Sequence, residues 1–151
     1  MTTTELPTAL AEIADDFRTA SNDLKLQLLL EFSDELPGLP ERYAGRLDQL
    51  ERVDECQTPL FLVVEVDDAP TPAERRVHLF FDAPAESPTT RGFAGILHAG
   101  LDGLPAEDVL GVPDDAPMRF GLADAVSPLR LRGMAAMLAR IKRQVREKST
   151  G

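Results

Sequence analysis

The sequence predicts an α+β fold, a small antiparallel β-sheet packed against several α-helices, within one domain spanning residues 1–151. Three observations carry that expectation. The N-terminal stretch repeats apolar residues at helical spacing. Two neighbouring runs, "LFLVVEV" at 60–66 and "RRVHLFFDA" at 75–83, are rich in β-branched, apolar and aromatic residues. From residue 88 onward the spacing is helical again. Helices, then a hairpin, then helices is not the strand–helix alternation of a parallel sheet. A chain of 151 residues is long enough to bury a core without disulfide staples.

The first helix rests on Leu6, Leu10, Ile13 and Phe17, which fall on one face, with Pro7 near its first turn and Glu12, Asp15 and Asp16 on the wet side. "ASND" interrupts it, and Ser21 or Asn22 supplies a side-chain oxygen to cap the next helix. Leu24, Leu28, Leu29 and Phe32 form the expected second apolar face, ended by Pro37, Gly38 and Pro40. Tyr43 follows this turn and is expected to pack on the surface. Residues 52–53 suggest a short edge piece. The two strand runs are then joined by the polar, eight-residue "DDAPTPAE".

Beyond the hairpin, Phe93, Ile96, Leu97 and Leu101 share one side of a helix that Gly100 and Gly103 are expected to close. "LPAEDVLGVP" places Pro105 and two acids in the first turn of a short helix, as the helix dipole favours. "MRFGLADAV" makes another short piece. The last helix opens at Ser127–Pro128, and Leu131, Met134, Leu138, Ile141 and Val145 recur at three and four residues.

Composition narrows the function. A net charge of −10 argues against nucleic acid, whose binding is dominated by cation–phosphate contacts. The charge is uneven: residues 1–70 hold 16 acids and 5 bases, residues 129–151 hold 7 bases and 1 acid. The basic end lies on an amphipathic pattern, so its bases are expected on a solvated helix face. No apolar run approaches the ~18 residues of a membrane span. The acidic N-terminus does not read as a secretory signal. One cysteine, Cys56, excludes an internal disulfide and favours a reducing, cytoplasmic home.

Cys56 stands between Asp54-Glu55 and Gln57-Thr58, just ahead of Pro59 and the first strand. Polar neighbours and the proline place it in a loop or at a strand tip. With His78 and His98 as the only histidines, one copy of the chain cannot assemble a cysteine-ligated cluster or a structural zinc site. "RGFAG" and "AGLDG" match neither phosphate-loop nor dinucleotide fingerprints, so no resident cofactor is indicated. Three readings stay open. Cys56 is a carrier of sulfane sulfur, which needs one thiol and is harmed by a second. Alternatively it is incidental to a non-catalytic interaction domain, or it is a hydrolase nucleophile served by His78. For a carrier the acids at 54 and 55 are a difficulty, because cations favour a thiolate. An arginine from elsewhere in the fold would resolve it.

The ordered stretches "RVDECQTPLFLVV", "FDAPAESPTTRGFAGIL" and "SPLRLRGMAAMLARIK" together resemble the SufE family of sulfur acceptors. The leading "ADDF…LKLQLLLEFSDELPGLPE" fits that family's first two helices, and the likeness covers about residues 8–145. The resemblance implies a sheet-and-helix fold shared with IscU-like scaffolds. It implies that Cys56 bears a persulfide accepted from a pyridoxal-phosphate-dependent cysteine desulfurase and relays the sulfur to an iron–sulfur scaffold complex. Such a protein stimulates the desulfurase and is not a stand-alone enzyme; the pyridoxal phosphate belongs to the partner. Gln57 and Thr58 would shape the cysteine loop. Arg130 and Arg91–Gly92 match further family positions, Arg130 as a cation near the cysteine or on the partner surface. Glu55 departs from the family, where glycine is common.

Overall fold

In the computed structural model, which describes residues 6–56, 59–71 and 74–149, the first apolar face becomes helix α1 (Thr8–Arg18). Leu10, Ala14 and Phe17 are buried in it, with Leu6 and Ile13 packed at the margin. Helix α2 (Asn22–Glu35) starts at Ser21, whose side chain accepts from the Leu24 backbone N–H at 3.2 Å. Its buried stripe differs from the one expected. Leu24 is exposed, whereas Lys25, Leu29 and Ser33 face inward. Lys25 is tolerated there because its ammonium donates to the Gly121 carbonyl at 2.6 Å, a partner 96 residues away.

The sheet has strands β1 (Glu51–Arg52), β2 (Phe61–Val66) and β3 (Val77–Asp82) in the order β1-β2-β3, antiparallel throughout. Phe61 pairs with Asp82 and Val66 with Val77. The link between β2 and β3 is residues 67–76, longer than the polar run implied, because β3 starts only at Val77, although the Arg76 carbonyl still accepts from the Asp67 N–H at 3.0 Å. Arg76 also bridges to Pro105 on its other side. Period-two alternation puts Val77, Leu79 and Phe81 into the core, beside Leu62 and Val64. On the outer face Tyr43 packs against Phe80, ring centroids 5.5 Å apart, and donates to Glu65 at 2.6 Å.

Strand β1 stops after two residues, so β2 would expose an unpaired edge from Val64 onward. Helix α5 (Pro128–Ser149) closes it with side chains. Gln144 Oε1 accepts from the Val64 N–H at 2.8 Å, and Lys148 donates to the Val64 carbonyl at 2.5 Å. The helix starts as expected, with Ser127 Oγ accepting from the Arg130 N–H. Its apolar stripe, Leu131, Met134, Leu138, Ile141 and Val145, is buried. Its bases are not simply a solvated face. Lys142 is buried and donates to the Val112 carbonyl and to Asp114. Arg140 and Arg143 reach the sheet and the cysteine loop.

Helix α3 (Pro88–Leu101) is the hub: nine of its 14 residues are buried, and α1, α2, α5 and β3 all pack on it. Its glycines make this possible. A Cβ at Gly92 would lie 2.6 Å from the Leu29 carbonyl, and one at Gly95 would lie 2.2 Å from the Phe32 carbonyl, both in α2. Gly100 does not close the helix as expected. It lies inside it, where a Cβ would meet Leu10 of α1 at 2.6 Å. The short helix α4 (Ala106–Leu110) follows, with Pro105 at its N-cap. Two 3-10 turns, Ala116–Phe120 and Leu122–Asp124, lead into α5.

Candidate functional site

Two backbone hydrogen bonds define the loop between β1 and β2. The Val53 N–H donates to the Leu60 carbonyl at 2.9 Å, closing the base, and the Cys56 N–H donates to the Val53 carbonyl at 3.2 Å. Val53 and Leu60 are fully buried, so the loop is rooted in the core. Asp54 and Glu55 are exposed at its turn. Cys56 follows, half-buried and packed against the core.

The thiol rests on α5. A Cβ at Gly133 would approach Cys56 Sγ to 3.0 Å, so the glycine forms the floor of the notch that holds the sulfur. Gly133, Met137, Arg140 and Gln144 follow one another at spacings of four, three and four, a single helix face beneath the loop. From that face Arg140 reaches Glu55 Oε1 at 2.9 Å and Glu51 Oε2 at 3.3 Å. The second contact is an ion pair without hydrogen-bond alignment at Nε. Glu51 is further held by Arg143 and by Gln144 Nε2, the latter at 2.9 Å. Burial pushes the Glu51 carboxyl up, but these donors and the nearby Arg140 outweigh it and hold it below the usual carboxylate range.

The cation that faces Cys56, behind the two acids that precede it, is Arg140. No local signal marked it, because its partners are far away in the chain. It does not free the thiolate. Burial pushes the Cys56 thiol up to about 11, Glu55 adds to that, and Arg140 opposes it only in part. At neutral pH Cys56 is a guarded thiol. Its alkylation by iodoacetamide is expected to climb about tenfold per pH unit from pH 7 to 10, following the thiolate fraction. An unperturbed thiol, with a pKa of about 8.5, would level off near pH 9. A plateau there, measured by mass spectrometry of the alkylated peptide, would contradict the shielded site.

The other expected residues separate. Gln57 and Thr58 lie outside the described residues. Arg130 is exposed in the first turn of α5, one turn before Gly133. Arg91 spends its guanidinium on three carbonyls, those of Ser33 at 2.9 Å, Ala83 at 2.9 Å and Leu36 at 3.2 Å, binding α2 and the end of β3 to α3. His78 pairs across the sheet with Glu65 and sits 2.9 Å from Asp67. Glu65 lies four residues beyond the start of β2, roughly 13 Å along the strand and away from the cysteine loop. No Cys–His dyad is assembled among the described residues. An open, mainly apolar groove of about 410 Å³ runs beside the loop, with Leu47, Pro59, Phe61 and Pro84 in its wall and Asp82 and Glu86 at its rim.

The profile of the family described as "SufE: Fe-S metabolism associated domain" matches residues 11–145. The chain belongs to the SufE family. An uncharacterized SufE-like protein of Mycobacterium tuberculosis is 56% identical over 142 residues, covering 94% of each chain. SufE-like protein 1, chloroplastic/mitochondrial, of Arabidopsis thaliana is 28% identical over 135 residues, which are 89% of this chain and 34% of that protein. The solution structure of a hypothetical protein from Thermus thermophilus superposes with a TM-score of 0.80 at 38% identity, covering 97% of this chain and all of that one. SufE membership associates the chain with iron–sulfur metabolism. It also agrees with the α+β fold of sheet and helices described above. Among the described residues, no helix of this SufE-family chain is long and apolar enough to cross a membrane.

Proposed function

We propose that the chain is a sulfur acceptor, a single domain working in the cytoplasm, that takes sulfane sulfur from a cysteine desulfurase on Cys56 and relays it to an iron–sulfur scaffold complex. The observation that carries this reading is the setting of the only cysteine in a SufE-family chain. It stands on a short rooted turn, with its sulfur lodged on a glycine floor at the protein's margin. The chemistry needs little else. The Cys56 thiolate attacks the outer sulfur of the donor's persulfide. The donor's S–S bond breaks as a new bond forms at Cys56 Sγ, and the donor leaves as a thiolate. The Cys56 proton passes to solvent or to the departing thiolate, and there is no net oxidation. A second attack by an acceptor thiolate reverses the roles and moves the sulfur on. Pyridoxal phosphate stays with the desulfurase.

The partner face is proposed to include Glu55, Gln57, Thr58 and Arg130 around the cysteine. Arg91 is proposed to belong to that face as well, its guanidinium already bonded to three carbonyls. One observation favours a second reading, a non-catalytic interaction domain: the thiol is shielded and held protonated. Sulfur transfer separates the two. Incubated with a cysteine desulfurase and cysteine, the chain should gain sulfur on Cys56 that a reductant removes. A chain that docks on the enzyme and stays sulfur-free is an interaction domain only.

A further inference from the structure

Glu55 adjoins Cys56, so whatever holds Glu55 holds the cysteine within one Cα step, about 3.8 Å. What holds it is Arg140, at 2.9 Å. We propose that Arg140 is the positioning residue of the cysteine turn: paired with Glu55, it clasps the Val53–Cys56 arm to α5 and keeps the thiol on Gly133, and release of that pair presents Cys56 to its donor. What the clasp serves rests on the sulfur-acceptor reading. The clasp itself rests on geometry.

The two sides of the pair are unequal. Arg140 is anchored without the loop's help, because Glu51 on β1 faces it and is itself tied by Arg143 and Gln144. Gln144 in turn holds the Val64 amide of the sheet. When Glu55 departs, Glu51 keeps the guanidinium in place, and the site is ready to close again. Glu55 has no such anchor. Its side chain is 47% exposed, against 19% for Arg140, so the pair parts from the solvent side. Half-exposed pairs are weak, and a clasp that must open on contact with a partner needs to be weak. The charged groups around the thiol are Glu55 from its own turn and Arg140 from α5, backed by Glu51 from β1 and Arg143 from α5.

The test uses Glu55→Gln and Arg140→Gln with two readouts that need no desulfurase. The first is hydrogen exchange of the Cys56 amide by NMR, since that amide is bonded to Val53 only while the turn is formed. Both variants should raise its exchange about two- to fivefold, the range expected for losing a partly exposed pair, while the Val64 and Ile141 amides are unchanged. The second is the pH midpoint of Cys56 alkylation. It should fall in Glu55→Gln, which loses both a negative neighbour and part of the burial that raises the thiol most. Arg140→Lys keeps the charge and should restore the Cys56 exchange most of the way. Glu55→Gln alters an exposed side chain, so the test survives if Arg140→Gln does not fold. Unchanged Cys56 exchange in Glu55→Gln overturns the clasp. So does an increase spread equally over the core amides, which would mark general destabilisation. If exchange responds as expected and the chain never takes up sulfur, the clasp stands and the sulfur-acceptor reading falls.

Discussion

Cys56→Ser is expected to turn the chain from an acceptor into a competitor. Serine fits the same notch: its oxygen is smaller than sulfur, so the Gly133 floor and the Cys56 backbone bond to Val53 are kept. The melting temperature should therefore stay close to that of the wild type. The chemistry does not survive. A hydroxyl is not ionised near neutral pH, and an oxygen cannot carry a persulfide. Sulfur uptake should drop from one atom per chain to none. Stimulation of a cysteine desulfurase should fall to the enzyme's own basal rate. Because Glu55 and Arg130 are untouched, the variant should still dock. Added in excess, it should suppress the stimulation given by wild-type chain. A Cys56→Ser variant that stimulates as well as the wild type would show that docking alone accounts for the effect.

Gly95→Ala should have the largest effect on the fold. On an isolated helix the change would be favourable by about 1 kcal/mol. Here the new methyl would lie 2.2 Å from the Phe32 carbonyl oxygen and 2.8 Å from its carbon. These are backbone atoms of α2, so no rotamer change relieves the overlap, and α2 must move off α3. The expected cost is about 3 kcal/mol, lowering Tm by roughly 6–12 °C in a chain of this size. Two other glycines make the comparison internal. Gly38→Ala meets nothing within 4 Å and should leave Tm unchanged. Gly133→Ala meets Cys56 Sγ at 3.0 Å, at the tip of a side chain that can shift. Its stability should change by no more than about 1 kcal/mol, while the thiol is pushed outward and alkylated faster. Equal melting curves for Gly95→Ala and wild type, by circular dichroism, would contradict the close α2–α3 contact.

Local pattern accounts for much of this architecture. The strand runs, the inward set Val77, Leu79 and Phe81, the Ser21 and Ser127 caps and the long stripe of α5 follow from side-chain period and capping chemistry. So does the position of Cys56 in a turn ahead of β2. What local pattern does not carry is any role fixed by a distant partner. Lys25 and Lys142 are buried because carbonyls at Gly121 and Val112 await them, and no spacing rule announces those carbonyls. Leu24 matches the helical period and still faces solvent. Arg140 reads as one base among several on a wet face until the fold brings Glu51 and Glu55 to it. The same holds for "RGFAG" and "AGLDG": Gly92, Gly95 and Gly100 within them lie where neighbouring helices approach too closely for a Cβ.

The most direct measurement is the intact mass of the chain before and after incubation with a cysteine desulfurase and cysteine, followed by peptide mapping. A sulfur acceptor should gain one sulfur, about 32 Da, on the peptide that contains residue 56, and lose it again on treatment with a thiol reductant. A mass that stays constant while the desulfurase is turning over, or a sulfur atom mapped to no peptide with Cys56, would contradict that role.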